Sequence, residues 1–162
     1  MYRWIVFLHI AGIFGFLLAH GSSAGVAFAL RRERNPERLR ALLHLSSSAL
    51  TVFYLGLLLL LVAGIAAGFV GHWWRQGRIW AALGVLVVMT AGMWTTGTQH
   101  YHRVRKAIGV GYMEGIKFYG GVEPAPPEAL NALLARGQPV VLAAIGYGGA
   151  LVVAGLMWFK PF

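Results

Sequence analysis

Four stretches of this chain are each long and apolar enough to cross a lipid bilayer, and any fold must first accommodate them. A membrane-spanning helix needs roughly 20 mostly apolar residues. The first stretch runs from about Trp4 to Leu30, and the second lies within Leu42–Val70, centred on LGLLLLLVAGIAAGFV. The third is IWAALGVLVVMTAGMWTTGTQ (Ile79–Gln99) and the fourth is PVVLAAIGYGGALVVAGLMWF (Pro139–Phe159). Hydrocarbon offers no partner to a backbone N–H or C=O, so each span must satisfy its own backbone as a helix. The sequence therefore predicts an all-α integral membrane four-helix bundle, with residues 1–162 as a single domain.

Composition supports lipid as the main solvent. Residues are 58% hydrophobic and 12% charged, with a mean hydropathy of +0.66; soluble domains average about 25% charged. There is no cysteine, which excludes disulfides, thiolate metal sites, iron–sulfur clusters and covalently attached haem. The formal net charge of +9 is read as contact with anionic headgroups and as a topology signal, not as nucleic-acid binding. The segment HGSSAGVA offers small residues suited to signal-peptide cleavage, but the single Arg3 makes a weak n-region. The first span is expected to be retained.

The connections differ in kind. RRERNPERLR (Arg31–Arg40) reads as a tight charged hairpin. Within it Asn35-Pro36-Glu37 predicts a helix start, with Asn as N-cap, Pro at the first helical position and Glu favoured by the helix dipole. GHWWRQGR (Gly71–Arg78) is short, and its tryptophans suit a membrane interface. The longest connection, about Tyr101–Gly137, carries Gly and Pro clusters and then EALNALLAR, which is expected to form a short surface helix. Ten of the fourteen Lys and Arg residues fall on the side of the Arg31–Arg40 hairpin. That asymmetry predicts both termini on the non-cytoplasmic side of the membrane, with the hairpin in the cytoplasm.

Two histidines sit within the first apolar stretch. His9 and His20 are separated by about 1100° of helical rotation and about 16.5 Å of rise, so they are expected on one face. Gly12, Ile13, Phe16 and Ser23 share that face. His44 begins the second span, and Ser48 and Thr51 continue its face. His100 ends the third, and Thr96, Met93 and Met89 continue its face. An outer site would use His9, with His72 on the same side. An inner site would use His20 with His44 or His100, and His102 falls at the interface. Neutral imidazole is a good haem-iron ligand, and helix bundles commonly bury haem between their helices. The plainer alternative is that these histidines hydrogen-bond across helices simply to satisfy themselves, and that the Ser46–Ser48 run and the Thr95-Thr96 pair are hydroxyls at helix-packing interfaces. Met89 and Met93 serve equally as core filler. The fourth span holds no His, Asp, Glu, Lys or Arg, so it is read as scaffold, packing through Ala143, Tyr147, Ala150 and Ala154.

The stretch WIVFLHI (Trp4–Ile10), followed by FGFLLAHG, resembles the opening helix of the copper-resistance-protein-D-like group of bacterial membrane proteins. The four-span layout and charged first hairpin resemble a family of integral membrane proteins of unassigned function within it. A related branch is the membrane-bound protoporphyrinogen oxidase, in which the histidine of a similar LHI context ligates b-haem. The resemblance thus implies His9 as a haem ligand. That branch also uses a lysine in a later span, whereas Ile79–Gln99 contains no Lys or Arg; what carries over is haem binding rather than oxidase chemistry.

Three functions follow as expectations. The first is a b-type haem protein that transfers electrons within or beside a membrane redox complex, with His9, His20, His44 and His100 as cofactor-binding candidates and His9 and His20 as the metal ligands. If it catalyses a reaction, it is a membrane oxidoreductase using haem b. The second is a cofactor-free subunit that anchors partner membrane subunits or a homo-oligomer. The third is copper handling, which imidazole and thioether ligands would suit.

Overall fold

A computed structural model describes residues 1–115 and 117–161. The chain forms helices α1 (Tyr2–Arg32), α2 (Pro36–Val70), α3 (Gly77–Met93), α4 (Gln99–Ala107), α5 (Pro127–Ala135) and α6 (Pro139–Phe159). A π-helical turn, Trp94–Thr98, joins α3 to α4 so that Gly77–Ala107 is one continuous helix. Four helices are long and apolar enough to cross a membrane, as the sequence predicts. Only 11–22% of their most apolar windows is buried. Trp4, Phe14, Val88, Leu151 and Trp158 are among the large apolar side chains left exposed, and lipid is the medium that accommodates them.

The hairpin between α1 and α2 is capped from both sides. Asn35 Oδ1 accepts the N–H groups of Glu37 (2.9 Å) and Arg38 (3.3 Å), and Pro36 takes the first helical position. These are two of the N–H groups a helix start leaves without an intrahelical partner. Glu33 closes α1: its Oε1 accepts from Arg34 N and Asn35 N, both at 2.9 Å. The Asn35 and Arg34 amides, with Arg38 nearby, hold the Glu33 carboxyl below the usual carboxylate range.

Lipid tails are as apolar as leucine, so packing at close range has to hold spans together. The α1–α2 pair achieves this through glycines. A Cβ added at Gly12 would lie 2.5 Å from Leu60 N, and one added at Gly56 would lie 2.7 Å from Phe16 N. The backbones meet directly, and Phe16 packs on Phe53 with ring centroids 4.7 Å apart. At the opposite end from the hairpin, Tyr2 of α1 stands edge-on to Trp73 at 5.9 Å, beside the short 3-10 turn Trp73–Arg75.

The arginine-rich end is tied by a dry cluster of Val26, Leu30, Leu39, Leu43, Tyr101, Val104, Ile108 and Leu134. It joins α1, α2, α4 and α5. A second cluster at mid-depth gathers Phe16, Met89, Met93 and Leu142. The connection after α4 holds a feature the sequence reading lacks, a small antiparallel hairpin. Tyr112–Glu114 (β1) pairs with Lys117–Tyr119 (β2), turning at Gly115 with φ +62°. Tyr112 and Tyr119 stack across the two strands (5.5 Å), and a 2.7 Å Lys106–Glu114 ion pair fastens the hairpin to α4. The expected surface helix is α5.

The glycine contact yields a direct test. Gly56→Ala should destabilise the chain by about 1–3 kcal/mol through backbone overpacking. Gly84→Ala, where nothing lies within 4 Å of the new methyl, should be neutral or stabilising, since alanine is the better helix former. Thermal unfolding of the detergent-solubilised protein distinguishes the two.

Candidate functional site

The third membrane helix does not run as a regular α-helix. At Trp94–Thr98 it adopts π geometry, which inserts one extra residue and turns everything after it by about 100°. The local chemistry permits this. Thr96 Oγ1 donates to Gly92 O at 2.7 Å and Thr95 Oγ1 to the same oxygen at 3.0 Å, so two hydroxyls supply a carbonyl at the irregular ladder. The Thr95-Thr96 pair thus has a backbone role instead of the interhelical one considered for it.

Beyond this turn, Tyr101, His102 and Arg105 line a cleft of about 550 Å³ between α2 and the α3–α4 helix. Ala19, His20 and Ser23 of α1 form its floor, with Leu142 of α6. One end is apolar, walled by Leu50, Leu57, Leu61, Leu83 and Leu86. The other is polar, with Ser23, Ser46, Ser47, Tyr101, His102 and Arg105. Tyr101 donates its hydroxyl to Ser23 O at 2.6 Å. Arg105 reaches from α4 to the Leu43 carbonyl and the Ser47 hydroxyl of α2.

The six histidines separate into distinct environments. His9 lies on α2: its Nδ1 is 2.8 Å from Leu60 O. A carbonyl can only accept, so the proton is on Nδ1 and the lone pair is on Nε2. Gly64 makes this possible, because a Cβ there would approach the ring to 2.9 Å. His20 is 2% exposed and its Nε2 has no hydrogen-bond partner among the described residues. The ring presses on α6 at Gly146, where an added Cβ would overlap it, and meets Tyr147 edge-on at 4.9 Å. The Ala143 carbonyl lies nearby without forming a hydrogen bond of acceptable geometry.

His9 and His20 therefore occupy different interfaces, although ideal helical rotation separates them by only about 20° beyond whole turns. His9 meets α2 and His20 meets α6, because neighbouring helices take over one face at different heights. His44 is exposed and does not join His20. His100 packs against the α5–α6 junction at Gly137 (3.1 Å from an added Cβ to Nε2) and does not line the cleft. His72 stands exposed with φ +56° on the turn after α2. His102 lines the cleft, and its Nδ1 accepts the Met113 N–H at 3.3 Å. In the neutral ring the proton is then on Nε2, the tautomer opposite to that of His9. Met89 and Met93 are buried core residues, and Met89 lies against Gly149.

The sequence reading counts Arg105 only as an interfacial charge and treats α6 as scaffold. The structure places Arg105 on the cleft wall and makes Gly146 the surface on which His20 rests. The available signal for Arg105 is the WTTGT segment, where Gly92 followed by paired threonines allows a π turn. No protein-family model, curated protein or solved structure matches this chain.

The His20–Gly146 contact should behave as a coupled pair. Gly146→Ala alone should lower thermal stability by forcing the ring aside. Combining it with His20→Ala should recover about 0.5–3 kcal/mol relative to the sum of the single effects, measured as a double-mutant cycle.

Proposed function

We propose that this chain is a multi-pass protein of the bacterial plasma membrane that carries a b-type haem on His9 and serves electron transfer within or beside a redox complex. One observation carries the reading: the 2.8 Å hydrogen bond from His9 Nδ1 to Leu60 O. A metal-bound histidine commonly donates its other ring nitrogen to a carbonyl or carboxylate, which fixes the tautomer and raises ligand basicity. His9 meets both conditions, and Gly64 fixes the ring plane against α2. The resemblance of Trp4–Ile10 to an LHI haem-ligand context points to the same residue.

Bound haem would supply one-electron chemistry at the iron. The chain's own part would be to offer the His9 Nε2 lone pair to the iron and to hold the imidazole through the Leu60 carbonyl. His20 fits less readily, since its Nε2 faces the Gly146 backbone. The reading therefore rests on one haem at His9, with His20, His44 and His100 outside the ligand set. The His9 Nε2 lone pair also suits copper, but the resemblance of Trp4–Ile10 points to haem iron.

Absorbance of the detergent-purified protein tests this. The wild type should show a Soret band with about one haem per chain, and His9→Ala should lose it. His20→Ala should keep it. A colourless wild type, or an unchanged band in His9→Ala, would overturn the assignment.

A further inference from the structure

The cleft between α2 and the α3–α4 helix is built for something other than an axial ligand. Its apolar half is lined by leucines, and its polar half holds two basic side chains and several hydroxyls. No carboxylate appears on its wall among the described residues. The ion pairs among the described residues are Arg38–Glu33 and Lys106–Glu114, so Arg105 has no acidic partner there. Its guanidinium carries five N–H donors, and among the described residues only the Leu43 carbonyl and the Ser47 hydroxyl accept from it. Half-buried cations of this kind are normally paired.

His102 adds to the same end. With Nδ1 accepting from Met113 N, its neutral ring offers Nε2–H as a donor and has no lone pair for a metal. Ser46 is 7% exposed and also lines this end. Spare N–H and O–H donors of Arg105, His102 and Ser46 collect at one end and hydrocarbon at the other, over a volume within the roughly 300–1,000 Å³ usual for ligand sites. The depth fits as well. Gly77–Ala107 is 31 residues, about 46 Å of helix against a hydrocarbon core of about 30 Å. Arg105, near its end, therefore lies at headgroup level.

We infer that this cleft is a site for an anionic phospholipid, with the phosphate held by Arg105, His102 and the Ser46 hydroxyl and an acyl chain laid between Leu57 of α2 and Leu86 of α3. A neutral quinone head would leave the guanidinium unpaired. Haem would need an axial ligand on this wall, where His20 Nε2 is turned to Gly146 and His102 presents a proton. The phosphate of a lipid satisfies Arg105 with the charge-assisted, often bidentate hydrogen bonds that guanidinium forms.

The test reconstitutes the full-length protein in nanodiscs of phosphatidylglycerol mixed with phosphatidylcholine, re-extracts it into mild detergent, and counts retained lipid by native mass spectrometry. About one phosphatidylglycerol per chain should remain, in preference to phosphatidylcholine. Arg105→Gln should weaken retention roughly tenfold, as expected for a lost charged hydrogen bond. Leu57→Trp fills the apolar half without touching Arg105 and should reduce retention too, which separates lipid loss from any folding defect of the arginine variant. His9→Ala should retain lipid normally, so the result is independent of the haem reading. Equal retention of both lipids, or unchanged retention in both Arg105→Gln and Leu57→Trp, would overturn the inference. So would a haem band abolished by Arg105→Gln or Leu57→Trp, which would place the porphyrin in this cleft.

Discussion

Direct backbone contact between α1 and α2 at Gly12 and Gly56 is the constraint on which the remaining architecture depends. In water, burial alone would draw two such helices together. In hydrocarbon that force is absent, and association depends on how closely the surfaces approach. Two glycines remove the side chains at the crossing, so Leu60 and Phe16 sit at backbone range of the opposite helix. Once the pair is fixed, His9 is brought over Gly64 and Leu60, and the rest of α1 is free to face α6. The dry cluster at the arginine-rich end then ties α4 and α5 to this pair, while α3 pairs with α6. The gap left between α2 and α3 is the cleft.

Much of this was legible in the sequence, for local reasons. Apolar length alone identified the four spans, and Asn35-Pro36-Glu37 placed the start of α2 at Pro36, where it is observed. These features depend on neighbouring residues only. The surface helix EALNALLAR was legible for the same reason, since two prolines precede it. The β1–β2 hairpin was hidden because its strands are three residues each, too short for an alternating pattern to register.

What stayed hidden depends on tertiary geometry. Helical rotation puts His9 and His20 within about 20° of one another, but it cannot say which neighbour each one meets. A bundle of crossing helices assigns α2 to one and α6 to the other. The π turn at Trp94–Thr98 is a second case. A regular wheel drawn through the third span misplaces every residue after it, so Arg105 and His102 could not be assigned to a wall. Histidine tautomers are a third. His9 and His102 are chemically identical in the sequence, yet a carbonyl at one Nδ1 and an amide at the other make the first a lone-pair donor and the second a hydrogen-bond donor.

The rim of the cleft has a consequence for access. Tyr54, Val87 and Trp94 line it and are also among the exposed apolar side chains of the protein. They stand at membrane depth, on the flank of the bundle rather than at either watery end. A guest therefore has no need to leave the bilayer or cross a headgroup barrier; it can slide in sideways from the surrounding leaflet. Occupancy would then follow the composition of that leaflet and not the concentration of any dissolved species.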